Sequence, residues 1–350
     1  METKEVLKEL SEATGVSGYE KELGQQVAQL FEPYVDQIEF DKLGNLLAYK
    51  AGESQQEYKV LLAAHLDEIG LMVTEIEEGG FLRFTTVGGV DQRTLVGQEV
   101  IVHGRKELQG IIGAKSPHLQ DEEEQKKSFD IEKMYIDLGL TEADVKKKVR
   151  VGDIISLQRN LLTLENDRVA GKALDDRAGV LLLLETLKEL AKMKHQVDLY
   201  AVATVQEEVG VRGATTSTYG VVPDIGIAVD VCHGLMSGVN QDEAVELGAG
   251  PALSFGPHIH PQLVDKLKEV ADEIELDYQL DASPSPRGTD AYAIQVTKSG
   301  IPTAVLSIPL RYMHTSVETV SLNDIKRGAR LLAQLLRELE GEFVEGLRCF

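Results

Sequence analysis

Residues 58–68 have the sequence YKVLLAAHLDE. The first seven are almost wholly apolar, which is typical of a short strand buried on both faces of a sheet. The run delivers His65, Asp67 and Glu68 at its carboxyl end, where open α/β sheets collect their ligands. This stretch therefore predicts a central strand that carries metal-binding side chains to one edge of a sheet.

Three further apolar runs predict strands of the same kind: LYAVATV at 199–205, IGIAVDV at 225–231 and PTAVLSI at 302–308. A long apolar helix is expected over 178–194. Strands that alternate with helices predict the α/β class, with a largely parallel or mixed sheet and helices on both of its faces.

Both ends of the chain carry helix-start signals. Ser17 precedes Glu20 by three residues, which is the spacing of a capping box, and it predicts a helix over 19–31. Ser321, with Asp324 in the corresponding position, predicts the start of the closing helix.

The pattern changes between about Met72 and Leu164, where short β-branched runs are separated by turns such as Gly88-Gly89. We expect a small β-rich module here, inserted into one α/β domain formed by residues 1–71 and 165–350. Such an insertion requires only that its two ends lie close together on the host domain. A linear chain of two or three domains is the alternative.

The composition argues against several classes of function. Lys and Arg number 36 against 58 Asp and Glu, which gives a net charge of −22, and this field repels nucleic-acid phosphates and anionic membranes. No apolar run reaches the roughly 18 residues of a membrane span. The N-terminus lacks a signal-peptide pattern, and two distant cysteines suit a reducing compartment, so we expect a cytoplasmic protein.

Groups that bind divalent metals occur at several predicted strand and helix ends. Adjacent carboxylates after a buried strand repel each other and are costly to bury unless cations compensate them. Imidazole and carboxylate together suit zinc, cobalt or manganese. The combination has the ligand chemistry of a two-metal hydrolase, and its members are His65, Asp175, Glu207, Glu208, Asp230 and His314.

A charge count supports two ions. Two divalent cations would be neutralised by three carboxylates, Asp175, Glu208 and Asp230, together with one bridging hydroxide. Glu207 is then left over as the natural general base. Asp67 has the right position to hold the second ring nitrogen of His65, as a ligating imidazole requires.

The order H-x-D, DDR, QEE, strand-end Asp and M-H-T-S spans nearly the whole chain. It resembles the co-catalytic metallo-aminopeptidases that include glutamyl and deblocking aminopeptidases, the tetrahedral TET-type enzymes, and members labelled endoglucanase. The resemblance implies that one metal is held by His65 and Asp230, that the other is held by Glu208 and His314, and that Asp175 bridges both.

The resemblance also assigns roles around the metals. It implies that Asp67 orients His65, that Glu207 activates a metal-bridging hydroxide, and that the peptide between Asp175 and Asp176 is cis. A stretch at 286–291 matches a family segment near the substrate pocket, in which the substrate-binding candidates are Gly288, Thr289 and Asp290.

The resemblance further implies a three-layer, phosphorylase/hydrolase-like domain with an inserted, barrel-like PDZ-like domain. It implies removal of N-terminal residues from short peptides with two divalent ions per subunit, Zn²⁺ or Co²⁺, with Mn²⁺ as an alternative. It also implies a homo-dodecamer built from dimers through the insertion. Peptides are the expected partners, with no nucleic acid and no membrane.

Other functions stay open at this point. A related two-metal carboxypeptidase or deacylase would differ only in pocket geometry. A glycoside hydrolase fits less well, because it needs two carboxyl groups about 5–9.5 Å apart rather than paired histidines, and the chain has no Trp. A non-catalytic, metal-stabilised scaffold would have no use for an unliganded Glu207.

Overall fold

The computed structural model of the chain describes residues 2–54, 58–119, 130–285 and 288–348. One large mixed sheet and one separate closed barrel account for its strands. Within these ranges, no helix is both long enough and apolar enough to cross a lipid bilayer.

The helices and strands follow each other in a mixed α/β order. The helices are α1 Thr3–Glu12, α2 Lys21–Phe31, α3 Glu142–Lys148, α4 Leu174–Leu190, α5 Arg212–Val221, α6 Pro261–Glu273, α7 Asp290–Gln295, α8 Leu322–Glu338 and α9 Gly341–Gly346. The strands are β1 Gln37–Phe40, β2 Leu46–Lys50, β3 Lys59–His65, β4 Gly70–Ile76, β5 Leu82–Val87, β6 Glu99–His103, β7 Glu107–Ala114, β8 Met134–Asp137, β9 Ile154–Leu157, β10 Leu162–Thr163, β11 Arg168–Gly171, β12 Asp198–Thr204, β13 Ile225–His233, β14 Ala252–Phe255, β15 Gln279–Ala282, β16 Thr303–Arg311 and β17 Glu318–Ser321.

The large sheet has the strand order β1-β2-β12-β3-β13-β16-β17-β11-β10, with β14 and β15 paired beside β16. Its four central strands, β12, β3, β13 and β16, are parallel neighbours. These are the four strands predicted from the apolar runs, and the prediction is confirmed. Because they are parallel, their carboxyl ends meet at one edge of the sheet.

Helices cover both faces of this sheet. Alternate residues of β3 enter two different apolar clusters: Val60, Leu62 and Ala64 pack with α1, α2, α4 and α8, whereas Leu61 and Ala63 pack with α7. Successive side chains of a strand point to opposite faces. The wholly apolar sequence of β3 therefore reflects burial on both sides, and the α/β class is confirmed.

The barrel is closed in the order β4-β5-β8-β7-β6-β9. Its strands lie between Gly70 and Leu157, and it has its own apolar cluster, which includes Val145 of α3 and Val149, the C-cap of that helix. Strand β10, which falls within the predicted β-rich module, pairs instead with β11 in the large sheet. The chain thus leaves the sheet after β3, builds the barrel and returns at β10.

The predicted start of the closing helix at Ser321 is confirmed, whereas two other helix starts and the partner of Asp324 differ from their predictions. Helix α2 begins at Lys21 without a side-chain cap, so the capping-box prediction for Ser17 is wrong. Ser321 does cap α8 by accepting from Asn323 N, but Asp324 accepts from Gly248 and Gly250 instead. The predicted helix over 178–194 begins earlier, at Leu174, and its first turn contains a cis peptide between Asp175 and Asp176.

Candidate active site

All six candidate ligands and bases converge on one cavity at the carboxyl edge of the parallel strands. The cavity has a volume of about 520 Å³. His65 ends β3, Asp230 lies in β13, Asp175 lies in the first turn of α4, and the others follow β12 and β16. The residues that line the cavity include His65, Asp175, Glu207, Glu208, Asp230 and His314.

The potential ligands form two groups that share Asp175. One group contains His65, Asp175 and Asp230, and the other contains Asp175, Glu208 and His314; within each group the ligand atoms lie within 4.8 Å of one another. Asp175 Oδ1 is 3.0 Å from His65 Nε2, and Asp175 Oδ2 is 3.5 Å from His314 Nε2. One carboxylate thus faces both imidazoles, and the donor set fits two neighbouring divalent ions.

The electrostatics of the cluster also fit cations. Burial raises the pKa of Asp230 to about 8 and that of Glu208 to about 7, and repulsion from Asp175 adds to both shifts. Burial alone would raise the pKa of Asp175 as well, but hydrogen bonds from His314 and His65 hold that pKa well below its usual range. The hydrogen bond to Asp175 raises the pKa of His314 to about 9. Without metals the cluster therefore binds protons where divalent cations would otherwise balance its charge.

Glu207 belongs to neither ligand group, although its side chain lines the same cavity. Burial is the main reason that the pKa of Glu207 rises to about 10, and repulsion from Asp230 and Asp290 adds to it. A carboxylate beside a metal site, but outside the ligand groups, is available for proton transfer.

Asp67 is the hydrogen-bonding centre behind the cavity. Its carboxylate accepts from Ser17 Oγ at 2.6 Å, from Glu207 N at 2.9 Å and from Glu208 N at 3.1 Å. His65 Nδ1 lies 3.5 Å from Asp67 Oδ1 and 3.1 Å from the main-chain oxygen of the same residue. Asp67 therefore contacts the imidazole and also fixes the backbone that carries both glutamates.

A buried cluster of charged side chains connects the segment 65–68 to helices α1 and α4. Lys172 Nζ lies 2.6 Å from Glu68 Oε2, and both side chains are nearly inaccessible to solvent. Arg177 donates to the carbonyl oxygens of Leu66 and Leu10. These contacts join the residue between His65 and Asp67 to the start of α4 and to α1.

The structure separates the three substrate-binding candidates. Gly288 and Thr289 line the cavity, but Asp290 does not. Asp290 is buried behind the wall, where its Oδ2 accepts from Thr204 Oγ1 at 2.6 Å. Residues 286 and 287 of the same stretch lie outside the described residues.

Two contributors to the site were not predicted from the sequence. Glu318, on β17, accepts from the backbone N–H groups of Asp175 and His314. Gly89, from the barrel side of the chain, places its carbonyl oxygen 2.8 Å from His314 Nδ1. Glu318 accepts from main-chain amides, and Gly89 offers its main-chain oxygen. Because almost every residue has these main-chain groups, such contacts cannot be recognised from residue types. The one hint was a glutamate in the otherwise apolar and hydroxylic run SVETVS.

The chain matches the M42 glutamyl aminopeptidase family over residues 44–331. It is 37% identical to a lysyl aminopeptidase of Pyrococcus furiosus over 342 residues, which cover 96% of this chain and 97% of that protein.

Solved structures agree with this match. The aminopeptidase APDkam598 of Desulfurococcus kamchatkensis superposes with a TM-score of 0.92 at 38% identity, over 99% of this chain and 97% of that one. The TET1 peptidase of Pyrococcus horikoshii superposes with a TM-score of 0.85 at 32% identity, over 97% and 100%. These matches confirm the resemblance and the aminopeptidase activity that it implied. The chain belongs to the M42 family of aminopeptidases.

Proposed function

We propose that the protein removes the N-terminal residue of short peptides with two divalent metal ions and with Glu207 as the proton-transfer group. The single observation that carries this proposal is the geometry of the cavity. Two ligand groups share Asp175, and a buried carboxylate outside both groups lines the same space.

Five side chains would hold the ions. His65 and Asp230 would hold one, Glu208 and His314 the other, and Asp175 would contribute to both. This nitrogen and oxygen donor set favours Zn²⁺ or Co²⁺, with Mn²⁺ as an alternative. When bound, such ions lower the pKa of a water molecule and polarise the peptide carbonyl.

Glu207 would accept a proton from the attacking water and pass it to the leaving amine. Its position supports this role, because a buried carboxyl group that lines the cavity outside both ligand groups is free to exchange a proton there. Asp67 would position the group, since it accepts the backbone N–H of Glu207. Gly288 and Thr289 would form part of the wall for the substrate, and Asp290 would support that wall from behind.

We also propose a homo-oligomer, a dodecamer built from dimers, in which the barrel forms contacts between copies. The TET1 peptidase of P. horikoshii supports this idea, because that protein can assemble into a tetrahedron or a large octahedral shell. We assign the sheet domain to the phosphorylase/hydrolase-like type and the barrel to the PDZ-like type. The two widely separated cysteines support a cytoplasmic location.

The first experiment is removal and restoration of metal. Exhaustively chelated protein should lose hydrolysis of aminoacyl-p-nitroanilides, and Zn²⁺ or Co²⁺ should restore it. Glu207→Gln should keep a near-normal metal content while turnover falls by roughly 10² to 10⁴. Glu208→Gln, at the neighbouring position, should instead weaken metal binding.

Full activity in protein whose metal content is verified as nil would overturn the metal-dependent mechanism. An exchange of the two variant phenotypes would overturn the assignment of roles. A panel of acidic, basic and aliphatic aminoacyl substrates in the same assay would identify the preferred N-terminal residue.

A further inference from the structure

Glu318 is a buried acid that does not face the cavity. It lies at the start of β17, and only 1% of its surface is exposed. Its Oε2 accepts from Asp175 N at 3.1 Å, and its Oε1 accepts from His314 N at 2.8 Å. One side chain thus joins the backbones of two candidate ligands that are 139 positions apart in the chain.

Both amides belong to backbone that is irregular at that point. Asp175 has non-helical dihedral angles although it lies in the first turn of α4. His314 has a φ of +62°, in the left-handed region that non-glycine residues rarely adopt. Neither conformation is the default for its segment, so specific contacts must hold each one.

The position of Glu318 is fixed by the sheet. It pairs with Gly171 of β11, four residues before Asp175, and the following residue, Thr319, pairs with Arg311 of β16, three residues before His314. The carboxylate is therefore held between the two segments that lead into the site. A support on regular strands positions its partners more accurately than one on a loop.

We propose that Glu318 is a positioning residue that sets the spacing of Asp175 and His314 and thereby the affinity of the metal that these two residues share with Glu208. This inference rests on the ligand roles proposed above. Asp175 Oδ2 and His314 Nε2 are only 3.5 Å apart, and Glu318 holds both residues through their main chains. Partners that orient metal ligands in this way typically contribute 10- to 100-fold to metal affinity.

The test compares Glu318→Gln and Glu318→Ala with the full-length wild-type chain, using Co²⁺ and Zn²⁺ alone as probes in equilibrium dialysis. Glu318→Gln keeps the size of the side chain but only one acceptor oxygen, and Glu318→Ala removes both. One of the two ions should bind roughly 10- to 100-fold more weakly in Glu318→Gln, and the loss should be larger in Glu318→Ala. Excess metal should restore most of the activity.

Asp324→Asn is the matched control. Asp324 is also fully buried and also accepts two backbone amides, those of Gly248 and Gly250, but neither glycine is a candidate ligand or lines the cavity. The control should lower the thermal midpoint while metal affinities stay within about twofold of wild type. If Glu318→Gln and Asp324→Asn lost metal affinity equally, the role of Glu318 would be purely structural and the inference would be overturned.

A second readout uses the unaltered chain, in case the variants do not fold. Hydrogen exchange of metal-free wild-type protein should show protected amides at Asp175 and His314, and rapid exchange at both would contradict the inference. Failure here is distinguishable from failure of the proposed function. If the wild type binds two metals and needs them, but Glu318→Gln binds them equally well, only this inference is wrong.

Discussion

At the scale of single residues, Asp290 shows how burial alone can make stability depend on pH. The side chain is 2% exposed, Oδ2 accepts from Thr204, and Oδ1 has no partner among the described residues. Burial raises the pKa of Asp290 to about 6, and the hydrogen bond from Thr204 opposes that shift. The folded state thus favours the protonated form of Asp290 more than the unfolded state does.

Asp290→Asn should therefore change the pH dependence of stability in the metal-free protein. The folded-state pKa of Asp290 lies above its unfolded value. The stabilising contribution of protonated Asp290 to the free energy of unfolding is therefore lost from the wild type as the pH rises from about 4 through 6. The free energy of unfolding of Asp290→Asn, relative to wild type, should rise over that window by up to about 3 kcal/mol. Denaturant titrations at several pH values measure it.

Thr204→Val provides the complementary variant. Loss of the Thr204 hydroxyl should raise the pKa of Asp290 further. The free energy of unfolding of Thr204→Val should therefore decline up to a higher pH than that of the wild type. A relative stability of Asp290→Asn that does not vary between pH 4 and 7 would contradict the expectation.

The KM of Asp290→Asn tests the role of Asp290 in the site. If Asp290 only supports the cavity wall, the KM should change little, whereas a large rise in KM would indicate contact with the substrate.

The residues of the metal cluster could be predicted because strand periodicity and chain order bring strand ends to one edge. Ser17 could not be predicted in the same way. Its spacing to Glu20 is a local signal for a helix cap, but its hydroxyl donates to Asp67, 50 positions away. Glu318 and Gly89 were missed because they bond to backbone or offer backbone, for which residue types give no indication.

At the scale of elements, the segment Gly15–Glu20, here called the N-terminal strap, secures the loop that carries Glu207. Its Val16 forms a bridge with Glu68, and the backbones of Gly15 and Glu68 are hydrogen-bonded. Glu20, which is buried, accepts from Gln206 N at 3.0 Å, and Gln206 has a φ of +57°. The strap thus contacts this loop directly through Glu20. It also acts on the loop indirectly, because Ser17 donates to Asp67 and Asp67 accepts from Glu207 N.

Ser17→Ala should lower kcat for peptide hydrolysis about 10- to 150-fold, which corresponds to about 1.5–3 kcal/mol for one hydrogen bond to a charged group. Metal content should change less than kcat, because Ser17 acts on the candidate ligands Glu208 and His65 only through Asp67. Steady-state kinetics and metal analysis on the same preparations measure both quantities.

Ser217→Ala is the control for the Ser17 variant. Ser217 is also buried and donates to the carbonyl oxygen of Gly213 within α5, and it does not line the cavity. Its loss should affect stability but not kcat. If the two variants lost activity equally, a positioning role of the strap would be disproved.

At the scale of the whole molecule, the barrel and the large sheet meet at the active site. Gly89 O contacts His314 Nδ1, Asp91 N donates to His314 O, and Ser316 Oγ donates to the side chain of Gln98. The alternation of strands predicted the sheet, and the turn-rich region predicted a β-rich module. Neither pattern could predict this seam, because it depends on how two separately packed cores dock.

Deleting residues 72–157 with a short linker should therefore have two effects. The assembly should become smaller, since the proposed contacts between copies lie on the barrel, and metal affinity should fall, since His314 loses Gly89. Light scattering and equilibrium dialysis measure the two quantities. A monodisperse monomer for the intact chain across a range of concentrations would refute the assembly proposal.

Gly89→Ala separates the two effects. A Cβ at this position would lie 2.6 Å from His314 Nδ1, so the imidazole would have to move, whereas a Cβ at Gly220 in α5 meets no atom within 4 Å. Gly89→Ala should weaken metal binding without a change in assembly size, and Gly220→Ala should change neither. Normal metal binding in Gly89→Ala would show that the barrel does not influence the site.

The contact between Gly89 and His314 also limits how such proteins can be recombined. A chimera that replaces the barrel of this chain with that of a relative would have to keep the loop around Gly89, because His314 Nδ1 bonds to its carbonyl oxygen. Otherwise each half would fold while the hybrid lost metal. The same contact offers a route for inhibitors, because Gly89 itself lines the cavity and a compound that displaces its loop would also disable the imidazole.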